Sequence, residues 1–369
     1  MNKKVGIERC GKYDRDEIYR ALKTAAEAAG HPDVAGKNVL LKPNILMDAV
    51  PEKAITTHPV FLEAVIRLVT EWGASRILVG DSPGLQGPNF TARLSGLREI
   101  ALKNNAEWVD FSKNKTEMEI PDGKICRHFT LTKAVNDADV IISLPKLKTH
   151  QFMLFSGTIK NNFGLIPSVA KSTFHVKYAS QEAFASMLVD LNLLVKPAYA
   201  FMDAVIGMEG PGPSGGSPRQ TGLVLASSNI LALDIAACSI MGYPAEKIPT
   251  NKDAMDRQFW LKDFSEVEYP LLKPEEVRIG DFKKVPFRKP RRRIIDILTF
   301  KFLRSAKENL QPRINHKLCV RCGDCAKICA SGALYFSGQG NSKQIELDSN
   351  KCICCYCCHE ICPEKAIDV

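Results

Sequence analysis

Two runs of cysteine near the end of this 369-residue chain have the spacing of thiolate ligands. The first run has the spacing C-x2-C-x2-C-x3-C and consists of Cys319, Cys322, Cys325 and Cys329. The second run repeats this spacing and consists of Cys352, Cys355, Cys358 and Cys362. A loop with a cysteine at every third residue can direct three thiolates at three irons of one cube. The chemistry indicated is therefore the binding of [4Fe–4S] clusters.

Together the two runs have the pattern of bacterial two-cluster ferredoxins, in which the fourth cysteine of each run binds the other cluster. One predicted ligand set is Cys319, Cys322, Cys325 and Cys362. The other predicted set is Cys352, Cys355, Cys358 and Cys329. Zinc sites and disulfides are the alternatives, but zinc sites usually have cysteine pairs separated by a dozen or more residues. Two clusters imply a reducing compartment, so a cytoplasmic location is expected.

Two features depart from the ferredoxin pattern. Ala330 stands where a proline commonly follows the fourth cysteine, and Cys354 and Cys357 are additional thiols. The additional thiols allow a register-shifted ligand set, but only the unshifted register places Cys362 directly before Pro363. We therefore expect Cys354 and Cys357 to adjust a cluster's potential or to have no role in binding it.

The elements that must position the other polar residues alternate along the first 282 residues. Apolar segments predict strands at 39–42, 76–79, 140–144, 200–206 and 223–226. Helical periodicity and flanking Pro, Gly and Ser residues predict helices at 59–72, 95–104 and 230–241. This alternation predicts an α/β fold with a largely parallel sheet covered by helices. In such sheets, ligands bind beyond the carboxyl ends of the strands.

Polar side chains follow several of these predicted strands. The candidate catalytic residues are Lys160, His150, Lys148, Asp81 and Asp203. The candidate substrate-binding residues are Lys42, Asn44, Lys146, Asn161, Asn162 and Glu209. If they converge, the lysines and amides would bind a carboxylate or a phosphate, and a lysine with a lowered pKa or His150 could donate a proton. The alternative is that each is a solvated surface residue or a helix cap.

The segment 210–215 matches G-x-G-x-x-G, but it does not read as a dinucleotide site. That fingerprint must open a helix directly after a strand, and Pro211, Pro213 and Pro218 make a helix here implausible. We expect a glycine-rich loop, either a lid over the site or plain turn material. No Walker A motif is present, and nothing in the sequence calls for a flavin.

Positive charge is concentrated in one segment. The net charge is +9, and residues 283–317 contain twelve Lys or Arg but two acidic residues. Prolines mark a domain boundary here, and residues 294–305 predict an amphipathic basic helix. We expect a linker helix; the alternatives are docking of an acidic redox partner and peripheral membrane contact through 291–307. No recognition motif for nucleic acid accompanies the charge.

Composition excludes other classes of protein. Apolar residues make up 45% and charged residues 25%, which is too apolar for a disordered chain. No apolar run reaches the ~18–20 residues of a membrane span, and no N-terminal apolar segment indicates a secretory signal. The cysteines outside the two runs are expected to be small buried apolar side chains; they are Cys10, Cys126 and Cys238.

Several polar motifs occur in an order that resembles one known family. They are KPN at 42–44, THP at 57–59, GDSPG at 80–84, LPKLKTH at 144–150, KNNFG at 160–164 and MEGPGP at 208–213. With the cysteine-rich end, this set resembles the DUF362 family of iron–sulfur proteins. The resemblance implies an α/β body fused to a two-cluster α+β ferredoxin-like domain. With the boundary that the prolines and the charge indicate, we expect the body at 1–282, a basic linker at 283–313 and the ferredoxin-like domain at 314–369.

Three functions are compatible with these residues. The first is an iron–sulfur oxidoreductase that passes electrons between two clusters and a small anionic substrate in the α/β body. The second is a ferredoxin-type carrier that docks an electron donor or acceptor protein and has no chemistry of its own. The third is a metal-handling or maturation factor, with candidate ligands Asp81, His58, His150 and Asp203. Their spacing matches no standard metal motif, so we favour the first.

Overall fold

The computed structural model describes residues 2–84, 88–287 and 310–369. Its strands are β1 (Gly6–Arg9), β2 (Asn38–Pro43), β3 (Arg76–Val79), β4 (Glu107–Trp108), β5 (Lys115–Glu119), β6 (His128–Thr132), β7 (Val140–Leu144), β8 (Lys146–His150), β9 (Leu154–Ser156), β10 (Tyr199–Glu209), β11 (Ser217–Ser227), β12 (Arg313–Ile314), β13 (Leu334–Ser337), β14 (Gln344–Leu347) and β15 (Ile367–Asp368). Its α-helices are α1 (Arg15–Ala29), α2 (Pro59–Glu71), α3 (Pro88–Ser95), α4 (Leu97–Lys103), α5 (Ala134–Asp137), α6 (Thr158–Asn161), α7 (Ser168–Lys177), α8 (Gln181–Val195), α9 (Ile230–Ile240), α10 (Pro249–Asp256), α11 (Asp324–Ile328) and α12 (Cys357–Ile361).

A nine-stranded sheet forms the centre of the body, in the order β1-β11-β10-β7-β2-β3-β4, with β8 and β9 added beside β10. The pairs β10–β7, β7–β2, β2–β3 and β3–β4 are parallel. The strands β11 and β1 are antiparallel to their neighbours. The α/β fold with a mainly parallel central sheet is confirmed, and its antiparallel side was not predicted.

Apolar side chains cover both faces of this sheet. All five residues of β7 are buried, as expected for a central strand of a sheet with helices on both faces. One apolar cluster includes Leu40 and Ile141, and the other includes Leu41 and Ile142. Neighbouring residues of one strand point to opposite faces, so the body contains two cores that the sheet separates.

The predicted elements agree with the structure within a few residues at most ends. β3 and β7 have the predicted bounds, and α2 begins at Pro59 as predicted. Asn229 accepts a hydrogen bond from Ala232 N at the start of α9, which explains why that helix begins at Ile230. β10 and β11 each have eleven residues and extend well beyond the predicted segments.

The cysteine-rich end forms a small unit of two antiparallel strand pairs and two short helices. β13 pairs with β14 and β12 pairs with β15, both antiparallel. The helices α11 and α12 each begin after a residue with a left-handed backbone, Gly323 or Tyr356. A separate apolar cluster that includes Leu334, Ile345 and Ile361 holds this unit together. Its architecture is therefore α+β, and we call residues 310–369 the C-terminal module.

Most of the basic segment lies outside the described residues. The predicted amphipathic helix at 294–305 and the membrane-contact segment at 291–307 both fall between residues 287 and 310, where the structure describes nothing. Within residues 2–84, 88–287 and 310–369, no helix combines the length and apolar character needed to span a bilayer.

Candidate active site

A cavity of about 260 Å³ lies between the carboxyl ends of the central strands and the C-terminal module. The body contributes residues that follow β2 and β3, among them Asn44 and Asp81. The module contributes residues of α11 and α12, among them Ile328 and Glu360. This is the edge at which ligands bind in open parallel sheets, so the position agrees with the expectation from the sequence.

Three lysines from three different elements face this cavity. Lys148 lies on β8, Lys160 on α6 and Lys171 on α7. Lys148 is buried and donates to Ile55 O at 2.8 Å, whereas Lys160 and Lys171 are half-buried. In the described part of the chain, no carboxylate lies within ion-pair distance of these three ammonium groups. The cavity therefore has an excess of cationic groups.

Burial lowers the pKa values of all three lysines, because desolvation disfavours the charged form. The pKa falls to about 7 for Lys148 and to about 7 for Lys171. The pKa of Lys160 is lowered by burial, while the charge of Glu360 acts in the opposite direction. A lysine whose pKa lies near neutrality can both attract an anion and donate a proton.

Asp81 lines the cavity, but its charge is already neutralised. Its Oδ1 lies 2.9 Å from Nζ of the fully buried Lys42 and accepts from Ser82 N at 2.7 Å. Lys42 also donates to Asn161 Oδ1 at 3.3 Å. Gly164 packs so closely that an added Cβ would lie 2.0 Å from Asp81 Oδ1. Lys42 therefore does not line the cavity; it fixes the carboxylate that does.

The amide groups of Asn161 and Asn44 connect the ends of β2 and β7 to α6. Asn161 Nδ2 donates to Lys42 O at 3.1 Å and to Ser143 Oγ at 2.9 Å, and its Oδ1 accepts from Asn44 Nδ2 at 3.2 Å. The orientation of Asn161 is thus determined on both sides. The carboxylate of Asp234 caps α6 by accepting from Thr158 N at 2.6 Å, which fixes the short helix that carries Lys160.

The C-terminal module supplies the opposite wall of the cavity. Cys357, Glu360 and Ile361 of α12 line it, and burial raises the pKa of Glu360. Ser214 Oγ donates to Glu360 O at 2.7 Å, and His359 Nε2 lies 3.0 Å from Pro211 O. The glycine-rich loop at 210–215 has no helix and contacts the module, as expected for a structured loop rather than a dinucleotide site.

His150 lies behind this wall and is fully buried. Its Nδ1 accepts from Phe152 N at 3.1 Å and Met153 N at 3.2 Å, so the proton of the neutral ring is on Nε2. Nε2 lies 3.2 Å from Glu360 Oε1, although the angle is not that of a hydrogen bond. Burial lowers the pKa of His150 well below its ordinary value. The residue contacts a cavity-lining carboxylate but does not itself line the cavity.

Two predicted site residues, Lys146 and Asp203, form a separate buried network. Lys146 Nζ lies 2.8 Å from Asp203 Oδ2 and donates to the hydroxyl of Tyr13 at 2.6 Å. Tyr13 OH donates to Asp203 Oδ1 at 2.8 Å, and the Tyr13 ring stacks on His58 with centroids 3.5 Å apart. Neither Lys146 nor Asp203 lines the cavity. The network joins β8, β10 and the segment before α1.

Asn162 and Glu209 also lie away from the cavity. Asn162 Nδ2 donates to Asn192 Oδ1 at 2.7 Å and ties the end of α6 to α8. Glu209 Oε2 accepts from Lys283 N at 3.0 Å at the far end of β10. Of the eleven candidates, five line the cavity, namely Asn44, Asp81, Lys148, Lys160 and Asn161.

Several cavity residues were not identified from the sequence. They include Lys171 and His175 of α7 and Cys357 and Glu360 of the module. Lys171 and His175 are four residues apart on one helix, a spacing that places them on one face, and this was an available signal. The role of Glu360 depends on docking of the module, which sequence spacing does not reveal. Burial lowers the pKa of His175 to about 3, so its ring is neutral.

The cysteines of the first predicted ligand set surround a second, smaller cavity. This cavity, of about 20 Å³, is lined by Cys319, Cys322, Cys325 and Cys362. In the second set, the pKa of Cys358 is raised by burial and by the neighbouring thiols of Cys355, Cys325, Cys329 and Cys352. Because Cys325 belongs to the first set, the crossed ligand pattern stays a prediction. The donor chemistry of the eight thiols fits two [4Fe–4S] clusters.

Within the residues described, no three His, Cys, Asp or Glu side chains are arranged to hold one metal ion. A [4Fe–4S] cube does not need such an arrangement, because its four thiolates bind four different irons. The fourth cysteine of each run has the same kind of hydrogen bond. Cys329 Sγ accepts from Ala333 N at 3.2 Å, and Cys362 Sγ accepts from Ala366 N at 3.2 Å. Such N–H···S bonds tune cluster potentials.

Comparisons with known proteins place the body in a family. A family model described as "Domain of unknown function (DUF362)" matches residues 39–239. A thylakoid-associated protein of Synechocystis is 31% identical over 288 residues, which are 77% of this chain and 88% of that protein. An archaeal-type glutamate synthase (NADPH) of Thermotoga is 35% identical over 51 residues, which are 14% of this chain and 10% of that protein.

Among solved structures, the lactate racemase apoprotein from Thermoanaerobacterium thermosaccharolyticum is 14% identical, with a TM-score of 0.43. That match covers 64% of this chain and 56% of the racemase, so the chain spans little more than half the length of that structure. The family model matches more than half of the chain, and the Synechocystis protein is similar along most of its length. The chain therefore belongs to the DUF362 family.

Proposed function

We propose that the chain is an iron–sulfur oxidoreductase that passes electrons between two [4Fe–4S] clusters in the C-terminal module and a small anionic substrate in the cavity. The observation that carries this proposal is the position of the cavity. Lysines of the body form one side of it, and α12, which contains the cluster ligand Cys358, forms the other. A substrate bound to the lysines would lie against the segment that holds a cluster.

The chain's own residues would bind the substrate, orient it and supply protons. Lys160 has no protein partner among the described residues, so its ammonium group is available to an anion. Lys148 and Lys171, with pKa values of about 7, would hold protons that are transferable near neutral pH. Asn161, whose two Nδ2 hydrogens are donated to Lys42 O and Ser143 Oγ, would hold Asn44, and the second Nδ2 hydrogen of Asn44 would donate to the anion. When bound, the clusters supply or accept single electrons.

Anaerobic reoxidation tests this function. The purified protein with its clusters is reduced, the reductant is removed, and recovery of the visible cluster absorbance is followed after small organic anions are added. We expect one class of anion to accelerate recovery. Lys160→Met should slow the accelerated rate about tenfold or more, because it removes a charged binding group. Lys177→Met is the matched control, since Lys177 is exposed at the end of α7.

The result that would overturn this proposal is recovery with no anion but with a redox partner protein, at equal rates in both variants. That outcome would favour the carrier function. An electron donor protein is expected for the oxidoreductase as well, because its clusters must be reduced again after they have passed on their electrons. The distinguishing measurement is therefore the dependence on the small molecule, not the dependence on the partner.

A further inference from the structure

The charges around the cavity do not balance. Lys148, Lys160 and Lys171 face it. The carboxylate of Asp81 is paired with Lys42 at 2.9 Å, and Lys327 is paired with Asp324 at 3.0 Å. Glu360 is the remaining carboxylate among the described lining residues. Among these lining side chains, three lysines without an ion-pair partner in the described residues therefore stand against one unpaired carboxylate.

The three lysines are not equivalent in position. Lys160 is close enough to both of the others to lower their pKa values by repulsion. Lys171 is affected in this way by Lys160 and Lys42. Lys148 comes from the sheet, Lys160 from α6 and Lys171 from α7. The three ammonium groups therefore reach one cavity from three different elements.

The rest of the lining is apolar. Ile45, Phe163, Ile328 and Ile361 line the cavity together with the polar groups. Inorganic anions gain nothing from such contacts, whereas a short hydrocarbon segment would. A cavity of about 260 Å³ lies below the range of ~300–1,000 Å³ that holds drug-sized molecules. The lining therefore favours a small organic molecule over a free inorganic ion.

We propose that the cavity binds a small organic dianion whose two acidic groups are separated by a short hydrocarbon segment and contact Lys148, Lys160 and Lys171. This inference deepens the proposed function and rests on the same site. Two separated carboxylates would supply counter-charges to lysines that enter the cavity from three different elements. The hydrocarbon segment between them would lie against the apolar side chains.

Calorimetric titration of the oxidised, cluster-containing protein tests this inference without any electron transfer. The probes are linear dicarboxylates of increasing length, monocarboxylates of matched length, and inorganic phosphate. We expect one dicarboxylate length to bind at least about tenfold more tightly than its matched monocarboxylate, as one more charge-assisted hydrogen bond would give. Lys171→Gln should remove most of that preference, because it takes one of the three cationic groups from the cavity.

The control is Lys177→Gln, which removes an exposed charge from the same helix and should change neither affinity. Equal binding of dicarboxylates and monocarboxylates would overturn the inference, and so would tighter binding of phosphate than of every dicarboxylate. Binding of a dicarboxylate that never reoxidises the reduced protein would leave the inference intact and contradict the oxidoreductase. A monocarboxylate that binds as tightly as the dicarboxylates and reoxidises the reduced protein would overturn the inference and support the oxidoreductase.

Discussion

Replacing Lys148 with methionine should stabilise the ligand-free protein, although Lys148 lines the candidate active site. Burial lowers the pKa of Lys148 from 10.5 to about 7. Between these values the unfolded chain binds more protons than the folded chain, so the unfolding free energy rises with pH. The destabilisation by Lys148 is thus absent above pH 10.5 and complete below pH 7. At pH 7 it amounts to about 4 kcal/mol.

The Lys148→Met substitution is expected to restore part of the free energy of unfolding that the buried lysine costs. Its side chain is similar in length to that of lysine and fills most of the same volume. The substitution also removes the hydrogen bond from Lys148 Nζ to Ile55 O, at 2.8 Å. A buried carbonyl without a donor costs about 1–3 kcal/mol. The expected net gain at pH 7 is therefore about 1–3 kcal/mol, and it should shrink as the pH is raised toward 10.

Lys42→Met is the matched contrast. Lys42 is equally buried but forms an ion pair with Asp81 at 2.9 Å. Removing one member of a buried pair leaves an uncompensated charge and costs about 3–5 kcal/mol. Urea unfolding followed by circular dichroism should therefore show a higher midpoint for Lys148→Met and a lower one for Lys42→Met. A lower midpoint for both, or a Lys148→Met effect independent of pH, would refute this reasoning.

Three further results are expected. Gly164→Ala should lower both stability and anion affinity, because its Cβ would displace the Asp81 carboxylate; an unchanged affinity in calorimetry would contradict this. Anion affinity should fall as the pH rises above about 7, because Lys171 and Lys148 lose their charges there. Binding at pH 8 should therefore take up protons, and calorimetry in buffers of different ionisation enthalpy measures this uptake. Cys355→Ala should reduce the bound iron by about half, whereas Cys354→Ala should retain it; equal iron contents would contradict the assigned ligands.

The central strands and the cysteine pattern were accessible from the sequence because their signals are local. A fully buried strand such as β7 is a continuous apolar run, and the carboxyl ends of parallel strands meet at one edge. Lys148, which comes soon after the predicted strand at 140–144, could therefore be placed near the site from strand positions alone. The antiparallel strand β1 carries no such signal, because it has four residues with a mixed pattern of burial.

The other half of the site depends on contacts between distant segments. Lys146 and Lys148 are two residues apart on β8, yet they contact different partners. Lys146 pairs with Asp203, and Lys148 faces the cavity. Glu360 enters the site only because the module docks on the body. A group of ionisable residues after a strand therefore predicts that a site is present. Tertiary packing decides which of these residues line that site.

The contacts that dock the module on the loop at 211–216 have a consequence for evolution and engineering. Ser214, His359 and Lys365 each contact a main-chain oxygen on the other side, at Glu360, Pro211 and Gly216 respectively. Every residue type carries that oxygen, so most substitutions at Glu360 and Pro211 leave these contacts in place, whereas a Cβ at Gly216 would lie 2.4 Å from Glu209 O. A chimaera that joins this body to a different C-terminal module would need the two donors on the module side. It would also need the apolar side chain of Tyr356, which packs into the core of the body.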